Sequence, residues 1–421
     1  MSVADADTLD VKRYDRQLRL WGLATQRGLQ GARILVLGVN GLSNEICKNL
    51  VLAGVGTLHI QDAGTLSDDD LEMGGLFSVS ADCTGTSRAR VLVDHLKAMN
   101  PLVQLEAVYA DISSFNAEYL RSFSFIIGTA RGVESVDEVI ACTVTTEAVD
   151  SGAMVRADGE PPAKRQCSGG NSSGNGDSRP ALGRSNGAHV VVPMRACAAE
   201  NARTPTRFLA AGCLGLEGFC FFDLGAVTTV IEPPKPSPEE SEQRKNVPPL
   251  AAVTERALYP SISSAVAVDW AALTNRVPRL YYAVQLLLRL REAPSSGGAI
   301  ADEDIRLLLS PDAPTKTIEL LRRLLGRRAA MACNDAAGAS AVLTPEYMAQ
   351  IAESVGHELA PVCAILGGMV ASEVIKIISG KERPINNAFF FDGVTSDGIC
   401  LRLGPSFECP GGVDKGEFKA V

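Results

Sequence analysis

No two of the 11 cysteines in this 421-residue sequence are spaced C-x-x-C, so a zinc site built on paired C-x-x-C ligands is excluded. Histidine is equally sparse: His59, His95, His189 and His357 are the whole set, and none lies near another in the chain. There is no basic excess. Lys and Arg number 40 against 49 Asp and Glu, and a net charge of -9 argues against a general nucleic-acid binder, which needs a basic surface to meet phosphates. No run of 18 apolar residues and no basic-then-apolar opening occurs, so neither membrane insertion nor secretion is expected. An odd number of scattered cysteines then reads as mostly reduced and buried, inside an intracellular protein. The acidic stretch Asp68–Glu72 lacks the ligand spacing of a calcium loop, and no metal site is expected.

What is present is an alternation of apolar strands and amphipathic helices. Ile34-Leu35-Val36-Leu37 is short and branched enough for a buried strand, and the turn Gly38-Val39-Asn40-Gly41 follows directly. Leu42, Ile46, Leu50 and Ala53 then recur at helical spacing up to a stop at Gly54. Strand, glycine turn and helix form the first half of a Rossmann-like unit, whose helix N-terminus can receive phosphate. Asn40 and Ser43 stand where a G-x-G-x-x-G pattern has its second and third glycines. On the turn alone, a structural connection and a phosphate site are equally open. Asp62 ends the next strand, Thr57–Asp62, 24 positions beyond Gly38, which suits a ribose-binding acid or a plain turn.

A helix is expected over 87–99, strands over 103–109 and 123–129, and helices around 116–121 and 135–149. Strands resume over 207–211, 219–225 and 227–231. This pitch predicts an α/β fold, a Rossmann-like mostly parallel sheet with helices on both faces. Residues 151–206 contain no Phe, Trp or Tyr and are dense in Gly, Ser, Asn and Pro, so they read as a disordered insertion within a domain spanning 14–232. Residues 1–13 read as a flexible start, and 233–249, with six prolines, as a linker. Residues 250–355 read as a small α-rich inserted domain, with helical patterning over 266–290 and more helix that includes 318–331. The chain returns to the sheet over 356–405, through a helix at 358–380 buried nearly all round and two strands at 387–393 and 398–403. A tail, 406–421, follows. In the N-terminal segment 14–22, Leu18, Trp21 and Leu23 suggest a short docking helix stopped at Gly22; Arg16 and Arg19 read as its solvated face or as functional cations.

Seven segments in one order, YDRQLRLWG (14–22), GVNGLSNEICKNLVLAGVG (38–56), MNP (99–101), FCFFDLG (219–225), VDW (268–270), APVCAILGG with EVIK (360–376) and NNAFFFDG (386–393), resemble the ubiquitin-like-modifier activating enzymes. Within that family they are nearest the small, non-cysteine subunits of the SUMO-activating branch. The resemblance covers about 14–150 and 205–405. It implies adenylation of a modifier's C-terminal carboxylate with ATP and Mg²⁺, thioester formation on a cysteine, and transfer to a conjugating enzyme. It also implies two Rossmann-like halves, one of them active.

Against the active half's pattern, Asn40 and Ser43 break the glycine turn, and 71–76 (Leu-Glu-Met-Gly-Gly-Leu) lacks the phosphate-binding arginine. Arg88 stands for the lysine, and Thr129–Gly132 lacks the magnesium aspartate. Gly38, Asn40, Gly41, Ser43, Asp62 and Arg88 would therefore form a degenerate nucleotide site, with ATP and Mg²⁺ held by a cysteine-bearing catalytic partner. Arg16 matches the arginine that reaches across the dimer to the partner's ATP phosphates, and Arg19 reads as an interface residue. SUMO and its conjugating enzyme are implied as further partners, and the nucleus with the cytoplasm as the location. Of the cysteines, Cys142, Cys213, Cys220 and Cys363 fall in apolar segments, and Cys333 alone lies where a catalytic cysteine could sit. The corresponding neddylation subunit, a self-sufficient sulfur-carrier adenylating enzyme and an NAD-dependent oxidoreductase are the competing readings.

Overall fold

The computed structural model describes residues 10, 12–68, 70, 83–129, 133–150, 206–231, 252–268, 273, 276–292 and 343–404. The expected insertion (apart from Thr206), the linker, the 318–331 helix, Cys333, Trp270, residues 71–76 and 130–132, and the tail from 405 onward lie outside them.

Helix α1 (Asp15–Gly31) leads into strand β1 (Arg33–Leu37), helix α2 (Gly41–Ala53) and strand β2 (Thr57–Gln61). Next come α3 (Arg88–Lys97), β3 (Gln104–Val108), α4 (Ala117–Arg121), β4 (Phe125–Gly128) and α5 (Glu134–Asp150). From residue 207 follow β5 (Arg207–Leu214), β6 (Glu217–Asp223), β7 (Ala226–Ile231) and β8 (Val253–Leu258). The chain then forms α6 (Ile262–Val266), α7 (Arg279–Glu292), α8 (Pro345–Ser354), α9 (Ala360–Ser379), β9 (Ala388–Asp392) and β10 (Asp397–Leu401).

Eight strands form one sheet in the order β10-β9-β6-β5-β4-β1-β2-β3. The pairs from β3 through β5 are parallel, and β5-β6, β6-β9 and β9-β10 are antiparallel. The α/β class and mostly parallel sheet are as expected. Strand order reverses at β1 and β4, which opens a crevice beyond their carboxyl ends.

Both faces of the sheet are covered, which is why its central strands are apolar without alternation. Ile34 and Val36 face a core with Leu42, Ile46, Leu50, Leu366 and Val370 from α2 and α9. Leu35 and Leu37 face the opposite core, with Val136 and Val139 of α5, Tyr281 and Leu287 of α7, and Ile351 of α8.

Several expected details differ. α1 breaks at Gly22, at φ +86, where a stop is expected, but a second helix follows it directly and runs on to Gly31. α1 docks through Tyr14, Thr25, Gln26 and Leu29, whereas Leu23 is exposed. Of the helical patterning expected over 266–290, α6 ends at Val266 and, among the described residues, α7 begins after Pro278, whose ring cannot sit inside a helix. β7 leaves the main sheet to pair with β8, a strand within the region read as α-rich. α9 is apolar and long enough to cross a membrane by composition, yet it packs on α2, and it is not buried all round: Pro361, Ala364, Ile365 and Gly368 are exposed. Gly367 does permit close approach, since a Cβ there would lie 2.6 Å from the Cβ of Glu45; Gly368 faces open space.

Two of the motif segments prove to be junctions. In EVIK, buried Glu373 accepts from Lys376 Nζ at 2.7 Å and from the Ile385 backbone N–H at 2.7 Å, aiming the chain into β9. In NNAFFFDG, Asn387 donates to the Leu403 carbonyl at 2.6 Å and accepts from the Leu403 N–H at 2.8 Å, closing the β9–β10 hairpin.

The α-rich flank is held to β6 by Glu217, which accepts from Tyr347 Oη at 2.6 Å while Arg279 lies 3.4 Å away and stacks 4.0 Å over the Tyr347 ring. Burial raises the Glu217 pKa, and the Tyr347 and Arg279 contacts only partly oppose this. A carboxyl whose folded pKa exceeds its unfolded value stabilises fully below the unfolded value, about 4.3, and loses that contribution as pH rises through the folded value. Glu217→Gln should therefore gain on wild type in denaturant-measured stability as pH rises from about 4 toward neutrality. A constant difference across that range would contradict the reading.

Candidate functional site

The two ends of α2 carry the chemistry. Its N-terminus opens on a cavity of about 650 Å³ at the sheet's switch point, lined by Gly38, Val39, Asn40, Asp62 and Arg88 and by the acidic face of α5. The helix starts with a reciprocal cap: Asn40 Oδ1 accepts from the Ser43 N–H at 2.8 Å, and Ser43 Oγ accepts from the Asn40 N–H at 2.8 Å. The Asn40 amide also donates to the Thr129 carbonyl at the end of β4.

The neighbouring donors are matched too. The Gly38 N–H donates to the Gln61 carbonyl at 2.9 Å, and the Val39 N–H to Asp62 Oδ2 at 2.9 Å. The Gly41 N–H donates to Glu358 Oε2 at 2.8 Å. Glu358 is buried and lies 317 positions away, so its own carboxylate takes the place at the positive helix end where an anion is favoured.

Asp62 lies at the expected strand end but is occupied. Its Oδ1 accepts from the Gly64 N–H at 2.7 Å and pairs with Arg88 Nη2 at 3.1 Å. Arg88 reaches further, to Asp70 at 3.2 Å. Burial works against the Arg88 charge, but Asp62 and Asp70 outweigh it and raise its pKa. Gly38, Asn40, Gly41, Ser43, Asp62 and Arg88 are thus brought together as expected, in a network closed on itself. Glu134, Asp137 and Glu138 also line the cavity. Cys142 also lines it, but burial, and then the Glu138 charge, push its thiol up to about 12, so it is no activated nucleophile.

At the other end of α2 stands the N-terminal helix. Tyr14 is buried, and its hydroxyl accepts from Asn100 Nδ2 at 2.9 Å. The same amide donates to the Val51 carbonyl at 2.9 Å, in the last turn of α2. Gly54, the left-handed cap of α2 at φ +83, lies under the Tyr14 ring; a Cβ there would approach Tyr14 Oη to 2.6 Å. YDR, MNP and AGVG therefore meet at one joint, and it fixes where α1 starts. Asn100→Ala should cost about 1–3 kcal/mol by leaving buried polar atoms unmatched. A denaturation midpoint like that of wild type would show that the joint is slack.

Arg16 projects from this joint into solvent, in the first turn of α1. Among the described residues it has no ion-pair partner, and a cation is disfavoured by the dipole at that end of a helix. Arg19 is instead paired with Asp15 at 3.0 Å. Leu20, one turn beyond Arg16 on the same face, is 78% exposed. Thirteen residues of α2 separate the Tyr14 joint from the Asn40 turn, about 20 Å at 1.5 Å per residue. The turn was legible in the sequence, whereas the parts that Glu358 and Asp70 play around it were not. Glu358 carried no signal, because nothing local ties it to Gly41.

This fold and crevice define a chain of the ThiF family, to which it belongs: the family's pattern matches residues 14–410. Along nearly its whole length the chain is similar to SUMO-activating enzyme subunit 1. It is 26% identical to that protein of Rattus norvegicus over 415 residues, covering 94% of this chain and 95% of the relative. The Homo sapiens protein is 25% identical over 414 residues (94% and 96%), and that of Danio rerio 25% over 410 (93% and 94%).

Proposed function

We propose that this chain is the regulatory subunit of a heterodimeric SUMO-activating enzyme, required for adenylation but without a complete ATP site of its own. The observation that carries the proposal is the self-satisfied turn. Asn40, Ser43, Asp62 and Glu358 take up the Val39, Asn40, Gly41 and Ser43 N–H groups that a bound phosphate would need. A phosphate seated on those N–H groups would have to displace two carboxylates, Asp62 from Val39 and Glu358 from Gly41. Similarity to SUMO-activating subunits, and the absence of a G-x-G-x-x-G turn, favour this reading over the neddylation counterpart, a sulfur-carrier enzyme or an oxidoreductase.

ATP and Mg²⁺ then belong to a catalytic, cysteine-bearing partner. Arg16 extends from α1 into that partner's site, with Leu20 beside it as an apolar contact. A guanidinium placed there neutralises charge that develops on the displaced phosphates as the SUMO carboxylate attacks. Arg16 lies too far from the turn of its own chain to act in cis. The activated SUMO passes to the partner's cysteine and then to the conjugating enzyme. Residence in the nucleus as well as the cytoplasm goes with this role, on the family resemblance alone.

Equilibrium dialysis of the purified chain with radiolabelled ATP and Mg²⁺ tests the central point. No retention by the chain alone is expected; micromolar binding in the absence of a partner would overturn it.

A further inference from the structure

Three donor side chains from distant parts of the chain meet beneath the N-terminus of α2. Cys213 lies near the end of β5, Cys363 is the fourth residue of α9, and Glu358 precedes that helix by two positions. All three are buried, and their ligand atoms lie within 4.8 Å of one another. Cys213 Sγ and Cys363 Sγ are 3.8 Å apart. We propose that Cys213, Cys363 and Glu358 form a metal site for a divalent transition ion, zinc first among them, bound by two thiolates and one carboxylate.

The sulfur separation fits. Two sulfurs each about 2.3 Å from a tetrahedral zinc lie about 3.8 Å apart, so the pair is already set at the spacing that shared coordination requires. Two thiolates select a borderline-soft ion over calcium or magnesium. The carboxylate is oriented by a hydrogen bond from outside the set, the Gly41 N–H at 2.8 Å, in the manner of an outer-shell partner. The backbone is held as well: Gly215 and Glu358 form a parallel bridge, and the Gly215 N–H donates to the His357 carbonyl at 3.1 Å.

Charge is also provided for. Two thiolates, a carboxylate and a dication leave one negative charge, which faces the positive ends of α2 and α9. Loading releases two thiol protons to solvent, and a water molecule completes four ligands. Without metal, the contact with Cys363, and then burial, hold the Cys213 thiol protonated, well above its ordinary range. Such an ion would fasten β5 and α2 to the point where the chain re-enters the sheet from its α-rich segment. Cys213 and Cys363 are 150 positions apart, so no sequence spacing announces the site.

The test is elemental analysis of the purified full-length chain after dialysis against a chelator, paired with cobalt substitution. About one equivalent of zinc is expected, and cobalt should produce a thiolate-to-metal charge-transfer band in the near ultraviolet. Cys213→Val should lose both, while Cys400→Ser, at an exposed cysteine, should keep both. Folded wild-type chain with under roughly a tenth of an equivalent and no cobalt band would overturn the site. So would undiminished metal in Cys213→Val, or a Cys213–Cys363 disulfide in peptide maps of freshly isolated protein. Should Cys213→Val not fold, the wild-type zinc content and cobalt band decide.

Discussion

Arg16→Ala is expected to slow SUMO adenylation by the assembled pair by about 100-fold, while the two subunits still co-elute. The size follows from removing one charge-stabilising donor at a transition state, about 2.7 kcal/mol of barrier. Assembly should survive because Arg16 makes no contact that holds its own helix: Tyr14, Gln26 and Leu29 do that, and Arg19 keeps its pair with Asp15. Arg16→Lys should recover only part of the rate, since an ammonium keeps the charge but lacks the planar fork. Rapid-quench measurement of AMP-SUMO formation separates this step from later thioester transfer. An unchanged rate in Arg16→Ala would remove Arg16 from the mechanism.

Gly54→Ala is expected to lower the melting temperature by about 4 °C. A side chain at φ +83 adopts a backbone that L-residues disfavour by about 1–2 kcal/mol, and its Cβ would overlap the Tyr14 ring, adding about 1–3 kcal/mol. Around 3–4 kcal/mol at about 1 °C per kcal/mol, the scale for a chain of 421 residues, sets the size of the shift. The same change pushes Tyr14 off its seat on Asn100, so the start of α1 shifts and Arg16 with it. Gly54→Ala should thus lose adenylation activity in the pair even at temperatures where it remains folded. Calorimetry showing a melting point like that of wild type would mean that the joint has slack that the geometry denies.

Local elements were largely legible in the sequence. β1, its turn and α2 could be read from a four-residue apolar run, two glycines and a helical period, because each depends on neighbours a few residues away. Asn40 and Ser43 were visible as departures from a glycine pattern; that they form a cap was not, though the N-cap and N3 positions carried the signal. The acids of the site were less legible. Asp62 sits where a ribose-binding acid would sit, but its oxygens belong to Val39, Gly64 and Arg88, and only the folded turn reveals that. Glu358 was invisible, since its partner is Gly41 and the bond is tertiary. α9 looked buried throughout because its composition is apolar; its exposed strip is set by what packs on it, α2 on one side and solvent on the other. β8 escaped because its strand exists only as a partner for β7.

ATP–pyrophosphate exchange in the presence of SUMO tests the division of labour most directly. It would be run with this chain alone, with the catalytic partner alone, and with both. The self-satisfied turn predicts no exchange from this chain alone, and full exchange from the pair that falls when Arg16→Ala replaces the wild-type chain. Exchange catalysed by this chain without a partner would contradict the account.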